Sequence, residues 1–354
     1  MAVTMKQVAT KANVSDTTVA RVLDGYPHIS PDIIDRVNQA ISELGYVPKR
    51  NARRNPKKTA FNSNKKIKTG LVGFLLVQWT PDYLSQPLMA QIMAATERHL
   101  SMNNLQMVFT QLPDPDTLPP LVTRQRFDGV LLMGQVSPKL KLALAGHNVV
   151  LMLGGPRHTG DDYWADGIGS DYPACGYMAA KYLIDRNHKK IAYLNPVSNH
   201  GGFQEIGWSF QATTQHHHEP IDCMMLTCDF NTSQSGIFDR DKALKSIKDQ
   251  IKIIADMHKD DRPTGLHVPA DDSAVLVYQA LKSFGIAPGV DIDIISRRNQ
   301  EIHLSQMHPR PATIDLNTDE MGRRAIEKLL SRIANPTAPV GARVLIPPKL
   351  VMPG

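Results

Sequence analysis

Asp16, Thr17, Ala20 and Arg21 recur at the spacing of one helical face, while Val19, Val22 and Leu23 occupy the opposite one. A face of short polar groups and one arginine can present hydrogen-bonding side chains to base edges in the major groove of DNA. Asp16 is repelled by phosphate unless its carboxylate accepts from a cytosine amine.

Such side chains need a scaffold, and the flanking residues supply one. Thr4 followed three residues later by Gln7 is a capping box, and Val8, Ala9 and Ala12 give the helix after it one narrow apolar face. Asn13 and Val14 make a turn, and Ser15 caps a second helix that runs to about Leu23. Ser30 and Pro31 open a third, in which Ile34, Val37, Ile41 and Leu44 are the expected core stripe and Gly45 the stop. The pattern is that of a helix–turn–helix.

Charge supports the same reading. Residues 1–68 hold 13 Lys/Arg against 5 Asp/Glu, a net of +8, and nine of these basic residues fall between Lys49 and Lys68. The rest of the chain holds 27 basic and 29 acidic residues, so the whole-chain net of +6 is a basic head on a near-neutral body. That asymmetry is the footprint of a phosphate-backbone binder.

At 354 residues, with 42% apolar and 21% charged residues, the chain is long enough for more than one domain. No apolar run has the length of a membrane span, the N-terminus has no signal-peptide core, and Cys175, Cys223 and Cys228 lack metal-ligand spacing. A cytoplasmic protein with reduced thiols, no cofactor and no membrane partner is expected. His216, His217 and His218 read as a solvated helix end.

From Thr69 onward short apolar runs alternate with helix-length segments. Strands are expected over 70–77, 105–110, 128–133 and 148–153, then over 190–195, 222–227, 264–268 and 291–295. Helices fit 86–103, 117–126 and 138–146 in the first series, and 173–187, 239–258 and 272–284 in the second. Two βα series imply two doubly wound lobes. Trp79, Tyr83 and Trp164 fall on loops near a cleft between such lobes, and Trp208 is expected in the core. There is no G-x-S-x-G elbow, P-loop or H-E-x-x-H, and Gly154-Gly155-Pro156 lacks the dinucleotide fingerprint, so no enzyme chemistry is indicated.

The words V-A-T-K-A-N-V-S-D-T-T-V-A-R-V-L-D, H-I-S-P and A-I-S-E-L-G-Y-V-P resemble transcription regulators of the lactose-repressor (LacI/GalR) family. Farther on, F-D-G-V-L-L-M-G, A-D-D-S-A, G-I-A-P-G-V-D-I-D-I-I and T-D-E-M-G-R-R-A-I-E-K-L-L resemble the effector domain of the same regulators. The resemblance implies an all-α helix–turn–helix DNA-binding head over 1–48, a basic linker over 49–68, and a two-lobed α/β periplasmic-binding-protein-like effector domain over 69–354. Lobe 1 would take about 69–168 plus 316–344, and lobe 2 about 169–315 plus 345–354.

By the same resemblance Thr4 and Ser15 would touch phosphates, Asp16, Thr17 and Arg21 would read the groove, and His28 and Ser30 would hold the backbone. Lys49, Ala52 and Arg53 fall in the linker, where the family orders a short hinge helix on DNA and inserts a leucine into the minor groove. Here that leucine is Asn55, followed by Pro56, which disfavours helix at the residue before it.

The implied effector positions are Trp79, Gly154, Gln204, Asp271 and Arg298. Gln204 replaces a common arginine and Arg298 a usual aspartate, and the second change exchanges an acceptor for a donor that a ligand anion, Asp271 or Asp272 is expected to satisfy. The expected function is that of a homodimeric repressor on a palindromic operator, tuned by a small carbohydrate-like effector: a sugar, or a sugar acid or phosphate that engages Arg298. The alternative is a small-molecule sensor with a vestigial or non-specific head.

Overall fold

The computed structural model describes residues 3–23, 29–44, 46, 67–78, 84, 86–117, 120–124, 127–134, 136–152, 163–229 and 239–353. The chain divides into two compact units, Met1–Asn62 and Ser63–Gly354.

In the first unit α1 (Met5–Ala12), α2 (Asp16–Leu23) and α3 (Pro31–Leu44) follow in order. Gln7 Oε1 accepts from both the Thr4 N–H, at 2.8 Å, and the Thr4 hydroxyl, at 3.0 Å. Asn13 ends α1 in the left-handed region, φ 53°, which an asparagine tolerates better than most residues. Ser15 Oγ then accepts the Thr18 N–H at 3.1 Å and caps α2. Val8, Ala9, Ala12, Val19, Val37 and Ala40 form the buried core, with Ile33, Ile41 and Leu44 packed against it. Ile34 is partly exposed and lies outside this cluster, so the α3 stripe starts one residue earlier than expected. The 33-37-40-44 series keeps one face, and Ile34 sits about 100° round the helix from Ile33.

The second unit carries two sheets. The first is built from β1 (Leu71–Val77), α4 (Pro87–Met102), β2 (Gln106–Leu112), α5 (Pro120–Thr123), β3 (Gly129–Gly134), α6 (Pro138–Ala143), β4 (Val149–Met152) and β5 (Asp166–Ser170). The chain then enters α7 (Tyr172–Asp185), β6 (Lys190–Asn195), α8 (Gly201–Gln215), β7 (Asp222–Thr227), α9 (Arg240–Asp256) and β8 (Gly265–His267). After these come α10 (Asp271–Ser283), β9 (Asp293–Arg297), α11 (Glu301–Leu304), β10 (Ala312–Asp315), α12 (Thr318–Ala334), β11 (Arg343–Ile346) and β12 (Lys349–Val351). Sheet orders are β2-β1-β3-β4-β5-β11 and β7-β6-β8-β9-β10-β12. Among the described residues these strands pair in parallel, except β12 on β10.

Connectivity sets how the sheets face one another. The chain crosses between them after β5, after β10 and after β11, each time from a strand's C-terminal end. β12 runs antiparallel, with Lys349 opposite Asp315, so its start also lies at the C-terminal edge of the second sheet. The C-terminal edges of both sheets therefore meet at the three crossings. Leu88, in the first turn of α4, packs against the cores of both lobes. Where the basic segment enters the body, Asp128 accepts the N–H groups of Lys68, Thr69 and Gly70 at 2.6 to 2.9 Å and fixes the start of β1.

Several elements depart from the expectation. β5 and α8 separate elements that were expected to follow directly, and α5 opens at Pro120 and ends at Thr123, within the 117–126 expected. Trp208 is not core but 62% exposed. The buried face of α8 is Phe203, Ile206, Gly207 and Phe210, and a Cβ at Gly207 would stand 2.7 Å from the Tyr193 ring. The helix thus closes on Tyr193 through its glycine and turns the next residue outward. All three cysteines are free, and among the described residues no cluster of His, Cys, Asp and Glu is arranged to hold a metal.

Candidate nucleic-acid interface and effector cleft

On α2, Asp16, Thr17 and Arg21 are exposed and Ala20 is partly so, while Val19 is fully buried. The helix therefore offers one polar face outward because its apolar residues are taken by α1 and α3. Ser15 and Thr4 have structural duties as well. The Ser15 hydroxyl lies 2.9 Å from the Thr18 hydroxyl, and Thr4 is held by Gln7. The Ser30 carbonyl accepts from Ile33 and Ile34 and starts α3. His28, Lys49, Ala52 and Arg53, with Asn55 and Pro56, lie outside the described residues, as do Trp79, Tyr83 and Gly154.

The facing strand ends of the second unit form the other site, the position at which doubly wound sheets bind ligands. Gln204 is exposed in the first turn of α8, where its Nε2 donates to Ser198 O at 2.8 Å. Trp164 is partly buried against the core on one face of the first sheet.

Asp271 is fully buried and its oxygens are occupied. Oδ1 accepts from the Ser296 hydroxyl at 2.6 Å and the Thr313 hydroxyl at 3.1 Å, and Oδ2 accepts the Gln300 N–H at 2.8 Å. Burial pushes its carboxyl up to about 6 in spite of these bonds. Its work is to hold an unusual turn. Arg298 and Asn299 both have positive φ, 106° and 54°, which non-glycine residues rarely adopt. The Arg298 N–H donates to Ile314 O at 2.8 Å and Asn299 Nδ2 to Asp315 Oδ2 at 2.8 Å, so neighbours on every side impose the turn.

Arg298, expected to be satisfied by a ligand anion, Asp271 or Asp272, is engaged by the last of these: its Nη1 donates to Asp272 Oδ2 at 3.0 Å. Burial works to raise the Asp272 carboxyl, but the Arg298 charge and the Ser273 N–H hold it below the usual range. The residue that the sequence pattern does not single out is Arg297. It is 3% exposed, lies 5.2 Å over the Tyr172 ring, and donates from Nη1 to Pro269 O at 3.3 Å. Its Nε is buried without a hydrogen-bond partner, as are Ser170 Oγ and both side-chain atoms of Gln300. A signal exists in the sequence: a charged residue closes an apolar strand. The strand expected over 291–295 stops at Ile295, however, and leaves Arg297 in a loop.

The family model of bacterial regulatory proteins of the lacI family matches residues 4–49, and the periplasmic binding protein-like domain matches residues 180–352. The ribose operon repressor of Haemophilus influenzae is 26% identical over 97% of this chain and 96% of its own. Two solved structures share the fold. A transcriptional regulator in complex with cellobiose aligns at TM-score 0.64 and 21% identity, covering 99% of this chain and 100% of its own. The lac repressor dimer bound to operator and an anti-inducer aligns at TM-score 0.58 and 18% identity, covering 99% and 98%. With a capped helix–turn–helix ahead of two facing parallel sheets, the chain belongs to the lacI family of bacterial regulatory proteins, DNA-binding transcription regulators with a periplasmic-binding-protein-like body.

Proposed function

We propose that the protein is a cytoplasmic repressor that binds a palindromic operator as a homodimer and answers to a small carbohydrate-like effector between its lobes. One observation carries this reading: the α2 face that exposes Asp16, Thr17 and Arg21 belongs to a chain whose body is a two-lobed ligand-binding fold. One small head offers few base contacts, and two heads related by a two-fold axis read two half-sites. Thr17 and Arg21 address base edges, with Asp16 accepting from a cytosine amine. Thr4, Ser15, His28 and Ser30 set the head on the backbone, and Lys49, Ala52 and Arg53 add linker contacts.

In the cleft, Trp79, Gly154 and Gln204 meet the effector. Asp271 and Arg298 shape the turn beside it, because both Asp271 oxygens accept hydrogen bonds and Arg298 Nη1 is paired with Asp272, its buried Nε being without a partner. A relative named for the ribose operon and a structural neighbour in complex with cellobiose support a carbohydrate. The protein acts by binding, with no chemical step assigned to it.

A gel shift of the purified full-length protein on the DNA upstream of its own gene tests the reading, with an unrelated duplex as competitor. A shifted band that survives the competitor is expected. Salt-sensitive binding without sequence preference would favour a sensor with a non-specific head, a reading motivated by Asn55-Pro56 at the hinge position.

A further inference from the structure

Among the described residues two arginines of the body are almost fully buried, and their surroundings differ. Arg332 (6% exposed) donates from both terminal nitrogens to the carbonyls of Ala338 and Pro339 at 2.7 to 3.4 Å, and its Nε lies 3.6 Å from the Asp166 carboxylate. Arg297 (3% exposed) has the 3.3 Å bond to Pro269 O, the face of Tyr172, the weakly accepting Cys175 thiol beside it and an Nε with no partner. Among the described residues no carboxylate forms an ion pair with it. The nearby acids are committed elsewhere. Asp272 is held by Arg298 and the Ser273 N–H, Asp271 by Ser296, Thr313 and Gln300, and Asp171 caps α7 through the Ala174 N–H at 2.9 Å.

A buried guanidinium cannot shed its proton, so it keeps its charge and needs an anion or a full set of acceptors. Arg297 has neither, and it closes β9 at the strand end that faces the opposing sheet. Tyr172, on which it lies, is the first residue of α7, directly after the crossing from β5. Ser170, the last residue of β5 and 4% exposed, brings a second unpartnered group, a hydroxyl, to the same crossing. Arg297 lies over the ring with its Nε unpartnered, and the edge of a guanidinium is what meets a carboxylate or phosphate.

We infer that the effector bears an acid group, carboxylate or phosphate, which pairs with Arg297 and accepts from the Ser170 hydroxyl. This rests on the reading of the cleft as an effector site and adds the charge of the ligand and the residue that meets it. Arg297, not its neighbour Arg298, is the anion receptor.

Melting of the full-length protein, in buffer free of phosphate and carboxylates, tests the inference with four probes: glucose, glucuronate, glucose 6-phosphate and inorganic phosphate. Wild type is expected to melt higher with an acid probe than with glucose, and the two sugar acids tell carboxylate from phosphate. R297M should lose that rise, R297K should keep part of it, and S170A should weaken it. Without any probe R297M should melt no lower than wild type, since it removes an unpaired buried charge and replaces it with an apolar chain of similar volume.

A rise with glucose alone, an acid-dependent rise unchanged in R297M, or a clearly lower melting point of unliganded R297M would each overturn the assignment. If no probe acts, the unliganded comparison decides. Operator binding by wild type is measured separately. Its failure would strike the regulator reading and leave the melting comparison standing.

Discussion

Asp272 Oδ2 accepts from Arg298 Nη1 at 3.0 Å, and the two side chains are only 20% and 15% exposed. The pair ties the first turn of α10 to the turn after β9, the two segments that flank the C-terminal end of the second sheet. The arginine that replaces a family aspartate thus comes with its own counter-charge, and the charge left over in the cleft belongs to Arg297.

If the pair acts as a unit, Asp272→Ala and Arg298→Ala should not add. A double-mutant cycle in urea should give a coupling of about 1–3 kcal/mol, within the span found for partners in one hydrogen-bonded network. Additive losses would show that the two residues stabilise the fold independently.

Asp271 should make stability depend on pH. Its folded-state carboxyl sits at about 6 against an ordinary 3.8, because burial penalises the charged form. The folded protein therefore binds the proton more tightly than the unfolded chain. The stabilisation from protonation is complete below about 3.8 and is lost as pH rises through 6. Relative to D271N, wild type should gain about 2–3 kcal/mol between pH 7 and pH 4, since each pH unit separating the folded and unfolded values is worth roughly 1.4 kcal/mol. Parallel denaturation curves for the two proteins across that window would contradict this.

Helices α7 and α8 meet through Gly176, where an added Cβ would lie 2.2 Å from the Ile206 carbonyl oxygen and 2.9 Å from the Phe210 nitrogen. Backbone atoms cannot step aside as a side-chain tip can. Gly176→Ala should cost about 1–3 kcal/mol by overpacking, read from thermal or urea denaturation. An unchanged midpoint would mean that the helices separate freely.

The parts of the fold written in periodicity are legible in the sequence. The caps at Thr4 and Ser15 mark the head, and eight apolar runs mark strands. β5 is not legible, since D-G-I-G-S carries two glycines and one apolar residue, and its burial comes from β4 and β11 on either side. α8 is hidden for a related reason. Its glycines at 201, 202 and 207 read as breakers, whereas Gly202 and Gly207 make room for the rings of Tyr172 and Tyr193. The site is only partly legible because a two-residue error in the end of β9 decides which arginine is buried. Asp271 and Arg298 stand where their types suggest, but only the tertiary structure reveals that both Asp271 oxygens are used and that Arg298 Nη1 is paired with Asp272.

The hinge yields a separate expectation about DNA shape. With Asn55 and Pro56 in place of an apolar wedge, the bound operator should be bent less than when a leucine unstacks a base step. Fluorescence energy transfer between dyes at the two ends of a bound duplex reads the bend. A kink in the upper part of the roughly 20–90° range of wedge-inserting proteins would contradict the expectation.

The central claim is sequence-specific reading of DNA by the α2 face, and a fluorescence-anisotropy titration across several salt concentrations tests it most directly. Full-length wild type and Arg21→Ala would be titrated against the palindromic operator and a scrambled duplex. Wild type should prefer the operator by at least about a thousandfold. Arg21→Ala should lose roughly 1–3 kcal/mol on the operator and little on the scrambled duplex. Lys57→Ala, in the basic linker, should weaken both duplexes alike and lower the salt slope by about one. Equal wild-type affinity for the two duplexes, with the same salt slope on each, would contradict the account.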